Sequence, residues 1–294
     1  MEPITFAIPF YRGLDYLQRA IESVFAQRDV NWVAMVCDNS ASSETEELVR
    51  RVGKGRFSYH SNGTNIGMVP NFNRCIDLAE TELVTLVHAD DELLPSYGQT
   101  MRAAAERHPD AVAFYCGIDV IDEASKPTFS LPHFIKGSIN PARKREFVLA
   151  GEPAVRALLR GNFIPAATLC FRKSVLGARR FRDRYKFVLD WELMFEFLLD
   201  GDSIVGIPEH CVRNRAHHEQ TTTHLTKTHQ RFTEEVAFYD EMEALMRERG
   251  WERCAEVARA RRLTKLHITY RALRGLLRFD LGEARHAVEL LRHR

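Results

Sequence analysis

Six cysteines in 294 residues, none in a C-x-x-C spacing and most inside apolar runs, leave no metal or redox motif of that kind. They read as small buried hydrophobes in a reducing compartment. No apolar run is long enough to span a bilayer, and the start, M-E-P-I-T-F-A-I-P-F, has no charged segment followed by a signal-type apolar stretch. A cytoplasmic protein is expected. Charge of one sign is also missing, since 41 basic against 40 acidic residues leave a net charge of +1 and give no reason to expect a nucleic-acid partner. Lysine is scarce, at 8 of those 41, which hints at a GC-rich bacterial genome. No G-x-G-x-x-G follows the first apolar run and no G-x-x-x-x-G-K-[ST] occurs, so dinucleotide and P-loop readings lack their phosphate cradle. No internal repeat is visible.

What is present is an alternation of strand-like and helix-like patterns over residues 4–122, and an α/β sheet is its economical reading. Strands are predicted over 4–8, 32–37, 57–60, 83–87 and 111–120. Helices are predicted over 14–25, over 43–52 behind a capping box of Ser43 and Glu46, over the last part of 65–79, and over 95–108. From 122 to 151 the pattern breaks down around Pro127, Pro132, Gly137, Pro141 and the basic cluster Arg143-Lys144-Arg145, so a long functional or mobile loop is expected. Pattern returns with a helix over 152–160, a strand over 166–171, an amphipathic helix after Leu189-Asp190-Trp191, a strand over 203–207 and a closing segment over 211–218. Beyond Leu225 the chain is helical, with helices expected around 236–246, 252–277 and 281–291. The stretch 259–279 is basic and amphipathic, which suits a membrane-surface helix or a solvated face on a packed one.

The stretch L-V-T-L-V-H-A-D-D-E-L-L-P at 83–95 runs from a buried strand into a carboxylate pair, Asp90 and Asp91. In an open α/β sheet ligands bind beyond the carboxyl ends of the strands, although Asp91 could equally start a turn before a helix. Tyr11 and Arg12 follow the first strand, and Asp38 and Asn39 follow the second. A crevice with an aromatic face, a carboxylate that accepts from a base N–H and an acidic pair for a cation suits a nucleotide diphosphate. Hard oxygen ligands favour Mg or Mn as the cofactor, held by one or two carboxylates and the substrate's own phosphates.

The motifs I-P-F-Y-R with A-I-E-S-V-F-A-Q, C-D-N-S, N-I-G-M-V-P-N-F-N, H-A-D-D-E-L-L-P, L-D-W-E-L and R-A-H-H-E-Q-T-T occur in this order between residues 4 and 222. In residues and spacing the chain resembles family 2 of the inverting nucleotide-sugar glycosyltransferases with the GT-A fold. The resemblance implies a mostly parallel Rossmann-like sheet over 1–222, with a nucleotide-binding half to about 122 and an acceptor-side half over 123–222, and a helical region over 223–294. It implies that Pro9, Phe10, Tyr11, Arg12 and Asp38 grip the nucleobase and ribose, with Asn65 and Gly67 nearby. His88, Ala89 and Asp90 occupy the D-x-D position, where Asp90 binds the metal. Asp190 matches the catalytic base. Asp91 is expected to support the turn and, with Trp191, to face the acceptor; Trp191 has an equal claim to a packing role. His217, in the family's Arg-x-His segment, is expected at the metal or diphosphate, or else simply packed.

Two positions depart from the family's pattern. His88 stands where many members carry the first Asp of D-x-D, and Phe72 where many carry Arg before Asn73. The implied reaction is metal-dependent inverting transfer of a sugar from a nucleotide diphosphate donor to a glycan, lipid-linked or small-molecule acceptor. A binding module that has lost catalysis is the alternative, and a nucleotidyltransferase would need a Gly-rich loop that Phe10-Tyr11-Arg12-Gly13 does not supply. Peripheral contact with the inner membrane face through the C-terminal basic helices, and self-association, stay open.

Overall fold

Strand β1, Ile4–Phe10, is buried at every residue, as expected of a strand covered on both faces. Ile4, Phe6, Ile8 and Phe10 enter one apolar cluster and Ala7 the other, so alternate residues feed the two layers that sandwich the sheet. The computed structural model describes residues 2–218, 220–277 and 289–290. After β1 come α1 Leu14–Phe25, β2 Trp32–Asp38, α2 Ser43–Gly53, β3 Phe57–Ser61, α3 Met68–Leu78, β4 Leu83–Leu86, β5 Glu92–Leu93, α4 Tyr97–Arg107 and β6 Ala111–Ile121. The second half carries α5 Leu131–Ile139, β7 Phe147–Ala150, α6 Gly151–Leu159, β8 Cys170–Arg172, α7 Lys173–Leu176, α8 Leu189–Leu199 and β9 Ser203–Arg215. Then come α9 Thr221–Lys227, α10 Gln230–Glu248, α11 Glu252–Ala260 and α12 Arg262–Leu277.

Among the described residues the strands form one sheet in the order β3-β2-β1-β4-β8-β6-β9-β5, with β7 also paired to β9. Strands β1 to β4 run parallel to their neighbours in that half, and the register sets Phe10 opposite Asp38 and Asp38 opposite Ser61. Their carboxyl ends therefore open on one edge. Strand β8 is antiparallel to both β4 and β6 and joins the parallel half to β6 and β9.

Several expectations need correction. The cap of α2 is Ser42, whose extended backbone lets its hydroxyl accept from the Glu44 amide at 3.2 Å, whereas Ser43 is already helical. Helix α4 begins at Tyr97 rather than Pro95, because the preceding residues pair with β9 and the Leu94 amide donates to Cys211. The expected loop over 122–151 holds α5, a 3₁₀ turn at Pro141–Arg143 and β7. Pro132 sits in the first turn of α5, where its missing N–H costs nothing, and β7 exists through its pairing with β9. The strand expected over 166–171 is a 3₁₀ turn at Ala166–Thr168 followed by β8. Strand β9 runs unbroken from the strand expected over 203–207 into the closing segment expected over 211–218, and ends at Arg215. Helix α9 and the short α7 were not expected, and the helix expected over 252–277 breaks at Arg261, which takes a left-handed φ of 34°. The helix expected over 281–291 lies outside the described residues except at 289–290.

Helix α8 is apolar nearly all round rather than amphipathic, because α6, β9 and α10 cover it. Trp191 stacks on Phe238 of α10 at 5.6 Å and 18°, a contact worth about 0.5–1.5 kcal/mol beyond its burial. Through Phe238, Tyr239, Met246 and Cys254, helices α10 and α11 share the cluster that fills this face of the sheet. All six cysteines are buried and unpaired by disulfides. No helix among the described residues is long and apolar enough to cross a membrane.

Candidate active site

The edge where β1, β2 and β4 end is built largely by asparagine. Asn39 donates to the Gly67 carbonyl at 2.9 Å and accepts from Asn62 at 2.6 Å; Asn62 also donates to Asn71, which in turn donates to the Cys37 carbonyl at 3.0 Å. This relay ties the β2 terminus to the loop before α3. Asn65 closes that loop by accepting from the Gly67 amide at 2.9 Å, and Gly67 takes a φ of +95° that a side chain would strain. Asn62 and Asn71 carry no role in the sequence reading. The signal was the density of Asn between 62 and 73, since buried amides at loop ends need one another as partners.

At the end of β1, Pro9 and Phe10 are buried, whereas Tyr11 and Arg12 lie exposed at the mouth of the cleft. Asp38 is fully buried. Its Oδ1 accepts from the Ser40 amide and its Oδ2 from the Tyr59 hydroxyl, both at 2.7 Å, so the carboxylate faces its own loop rather than open cleft. Burial and that carboxylate push the Tyr59 hydroxyl up to about 12, which keeps it a donor.

Beyond β4 the chain turns sharply, with the Asp91 amide donating to the His88 carbonyl at 3.0 Å. Ala89 and Asp90 stand half-buried on the turn. Asp90 Oδ2 lies 3.1 Å from His217 Nε2, and the His217 ring leans on Tyr16 at 5.1 Å. Burial would raise the Asp90 carboxyl, but His217 and His88 outweigh it and hold the group below its ordinary value.

Asp91 is turned the other way. It is buried, accepts from Asn214 Nδ2 and from the Arg215 amide at 2.8 Å, and is pushed well above the usual carboxylate range by burial and by Asp90. The acceptor-facing role expected of Asp91 therefore gives way to support of the turn. Trp191 is corrected in the same sense: it is buried, one face is covered by Phe238, and its Nε1 has no partner among the described residues. Stacking on a sugar ring would need a face that packing has taken.

Arg215 holds this turn from below. It is fully buried, donates from Nε to the Asp90 carbonyl at 2.9 Å and from Nη1 to the Asp122 carbonyl at 2.8 Å, and pairs with Glu92 at 2.5 Å. The sequence reading placed the Arg-x-His segment at the site but gave Arg215 itself no role.

Across the cleft, Asp190 lies in the first turn of α8, which follows the buried Val188. Asn162 donates to its Oδ2 at 3.1 Å and accepts from the Ile164 amide with its own oxygen, so the amide is fixed at both ends. Burial raises the Asp190 carboxyl, opposed by the Lys136 ammonium and by the Asn162 hydrogen bond. Asn162 has no signature in the sequence; only the fold brings it beside Asp190. His88 stacks on Phe72 and feels the charges of both Asp90 and Asp190, though burial outweighs them and keeps its imidazole below its ordinary pKa.

His88, Asp90 and Asp91 each offer a ligand atom within 4.8 Å of the others. The donors already committed to Asp91 leave Asp90 and His88 as the available ligands of that cluster, and His217 stands outside it but 3.1 Å from Asp90. Carboxylate oxygen beside imidazole nitrogen fits a divalent ion.

An uncharacterised glycosyltransferase of Rickettsia typhi is 25% identical over 221 residues, 74% of this chain and 65% of its own length. The abequosyltransferase RfbV of Salmonella typhimurium is 29% identical over 96 residues, 31% of this chain and 28% of its own. The chain thus spans less than two-thirds of either relative. Among solved structures, S. aureus TarS 1-349 in complex with UDP-GlcNAc superposes with a TM-score of 0.62 at 15% identity, over 82% of this chain and 66% of that one. The mannosyltransferase PcManGT from Pyrobaculum calidifontis, in complex with GDP-Man and Mn2+, gives 0.61 at 12% identity over 99% and 85%. These likenesses establish the GT-A fold. The family model described as Glycosyl transferase family 2 matches residues 5–163, more than half of the sequence, and the chain belongs to that family.

Proposed function

We propose that the protein transfers a sugar from a nucleotide diphosphate donor to an acceptor hydroxyl with inversion at the anomeric carbon, dependent on a divalent cation. The observation that carries this reading is the Asp90–His217 pair at 3.1 Å beyond the end of β4, with Asp190, held by Asn162, near enough to act on His88 of the same turn. The TarS and PcManGT complexes hold UDP-GlcNAc and GDP-Man, which supports a nucleotide-sugar donor in the same crevice. Tyr11 and Arg12 at the mouth, with the loop of Asn65 and Gly67, form the nucleotide end.

Asp190 takes the acceptor proton as the hydroxyl attacks the face opposite the diphosphate, and a single displacement inverts the centre. Its raised pKa makes it a stronger base than an exposed carboxylate, and Asn162 fixes the oxygen it presents. Asp90 and His217 would hold the cation, with His88 beside Asp90, and the cation would supply charge neutralisation at the departing diphosphate. A set that includes imidazole suits Mn better than Mg, which prefers oxygen ligands. The acceptor side, over 123–222 and the helices beyond, accommodates a glycan, a lipid-linked or a small-molecule acceptor.

Thermal stabilisation by a panel of nucleotide sugars with Mn identifies the donor; a ligand at a hundred times its Kd adds about 2.7 kcal/mol. Product formation by wild type and Asp190→Asn then tests the chemistry. Transfer should fall by about 10²- to 10⁴-fold while donor binding persists. Unchanged transfer refutes the assigned base.

A further inference from the structure

Two acid-free stretches of this charge-balanced chain meet in the fold. Residues 124–145 contain Lys126, Lys136, Arg143, Lys144 and Arg145 and no Asp or Glu, and residues 257–277 contain six Arg or Lys, of which Arg261 is buried against Asp240, and again no acid. Gly161 marks where they meet, since a Cβ there would touch both Ile139 at the end of α5 and Leu263 at the start of α12.

Both stretches present apolar side chains to solvent. Helix α5 buries no residue completely, and Phe129 (73% exposed) and Phe134 (64%) pair their rings at 6.1 Å beside exposed Leu131. On α12, Leu266 (64% exposed), Tyr270 and Leu273 recur at intervals of four and three residues along one face, while Ile268 and Ala272 pack inward against Phe232 and Val236. Arg143, Lys144 and Arg145 follow α5, all exposed and none in an ion pair among the described residues.

We propose that this α5–α12 face docks on the surface of a bilayer that carries anionic phospholipid. Aromatic and aliphatic side chains flanked by bases, on two stretches with no acid of their own, are the complement of such a surface. A protein partner of ordinary mixed charge would leave those bases without a match. The inner side of α5 carries Lys136, whose charge acts on Asp190, so docking would set the proposed acceptor side of the cleft at the membrane. The docking itself does not depend on the transfer chemistry.

Flotation of the full chain with vesicles is the test, using phosphatidylcholine alone and phosphatidylcholine with about one-third phosphatidylglycerol. The chain should float with the anionic vesicles and not with the neutral ones. Arg143→Gln, Lys144→Gln and Arg145→Gln together should weaken partitioning on the order of 100-fold, about fivefold for each base. Phe129→Ser, Leu131→Ser and Phe134→Ser together should weaken it by at least roughly tenfold. Arg51→Gln with Lys54→Gln, at the α2 end of the molecule, should leave it unchanged. All these side chains are exposed, and near-ultraviolet circular dichroism checks that the variants stay folded. Absence of flotation, or flotation indifferent to both triple variants, overturns the proposal. So does a dimer in sedimentation velocity that the apolar triple variant dissociates in a protein that does not float. No donor or acceptor is present, so failure here leaves the transferase reading untouched.

Discussion

The rings of Phe72 and His88 lie 5.9 Å apart and 20° from parallel. The two positions at which the chain departs from its family's pattern thus touch each other and act as one unit. Phe72→Arg and His88→Asp should each weaken nucleotide-sugar binding by roughly tenfold, and the double variant should recover most of the loss. The coupling expected for residues in contact is about 0.5–3 kcal/mol, read by calorimetry as a double-mutant cycle. Additive losses would mean that the stack is incidental.

Asp190 is raised by burial and held down by Lys136 and Asn162, which fixes the sign of its pH dependence. Transfer should rise with pH through a pKa above the ordinary carboxylate range. Asn162→Ala and Lys136→Met each remove a lowering influence, so both should move that acid limb to higher pH. Stability runs the opposite way. A carboxylate that binds its proton more tightly in the folded state than in the unfolded loses stability as pH rises from its unfolded pKa to its folded one. Asp190→Asn should therefore hold or raise Tm at neutral pH while transfer collapses, a combination that differential scanning and a product assay read together.

Arg215 is fully buried and bonded to the Asp90 carbonyl, the Asp122 carbonyl and Glu92. Arg215→Met should cost about 3–5 kcal/mol in urea unfolding, much of it from leaving Glu92 and the turn carbonyls without a donor. Lysine should not rescue it, because an ammonium cannot span these directions at once.

Asp90 and His217 are proposed to share the cation. Chelation should abolish transfer and Mn should restore it. His217→Ala should raise the Mn concentration needed for half-activity by about tenfold or more, and Asp90→Asn should do so by a larger factor. An unchanged metal requirement in both variants would move the site elsewhere.

The parallel half of the sheet is legible because β1, β2 and β4 are short apolar runs and α1 and α2 carry apolar residues at helical spacing. The Asp90 turn was found by the same logic, from acids standing where a core strand stops. Other parts depend on contacts that sequence does not display. Strand β7 and the two-residue β5 exist because β9 offers them an edge, and α5 hid behind Pro132 and Gly137. Asp91 looks like the equal of Asp90 in the sequence; only the donors from Asn214 and Arg215, more than a hundred residues away, turn it inward. The sequence leaves Trp191 free to face either way, and the stack on Phe238 turns it inward. Asn162 lacks any local signature, since its function comes from meeting Asp190.

The most direct test of the account is the anomeric configuration of the product. Once a donor is identified, proton NMR of the transferred sugar under conditions of rapid product trapping reports the linkage through its anomeric coupling. Single displacement with Asp190 as base predicts a configuration opposite to that of the donor, lost together with product in Asp190→Asn. A product that retains the donor's configuration, or one that forms undiminished in that variant, contradicts it.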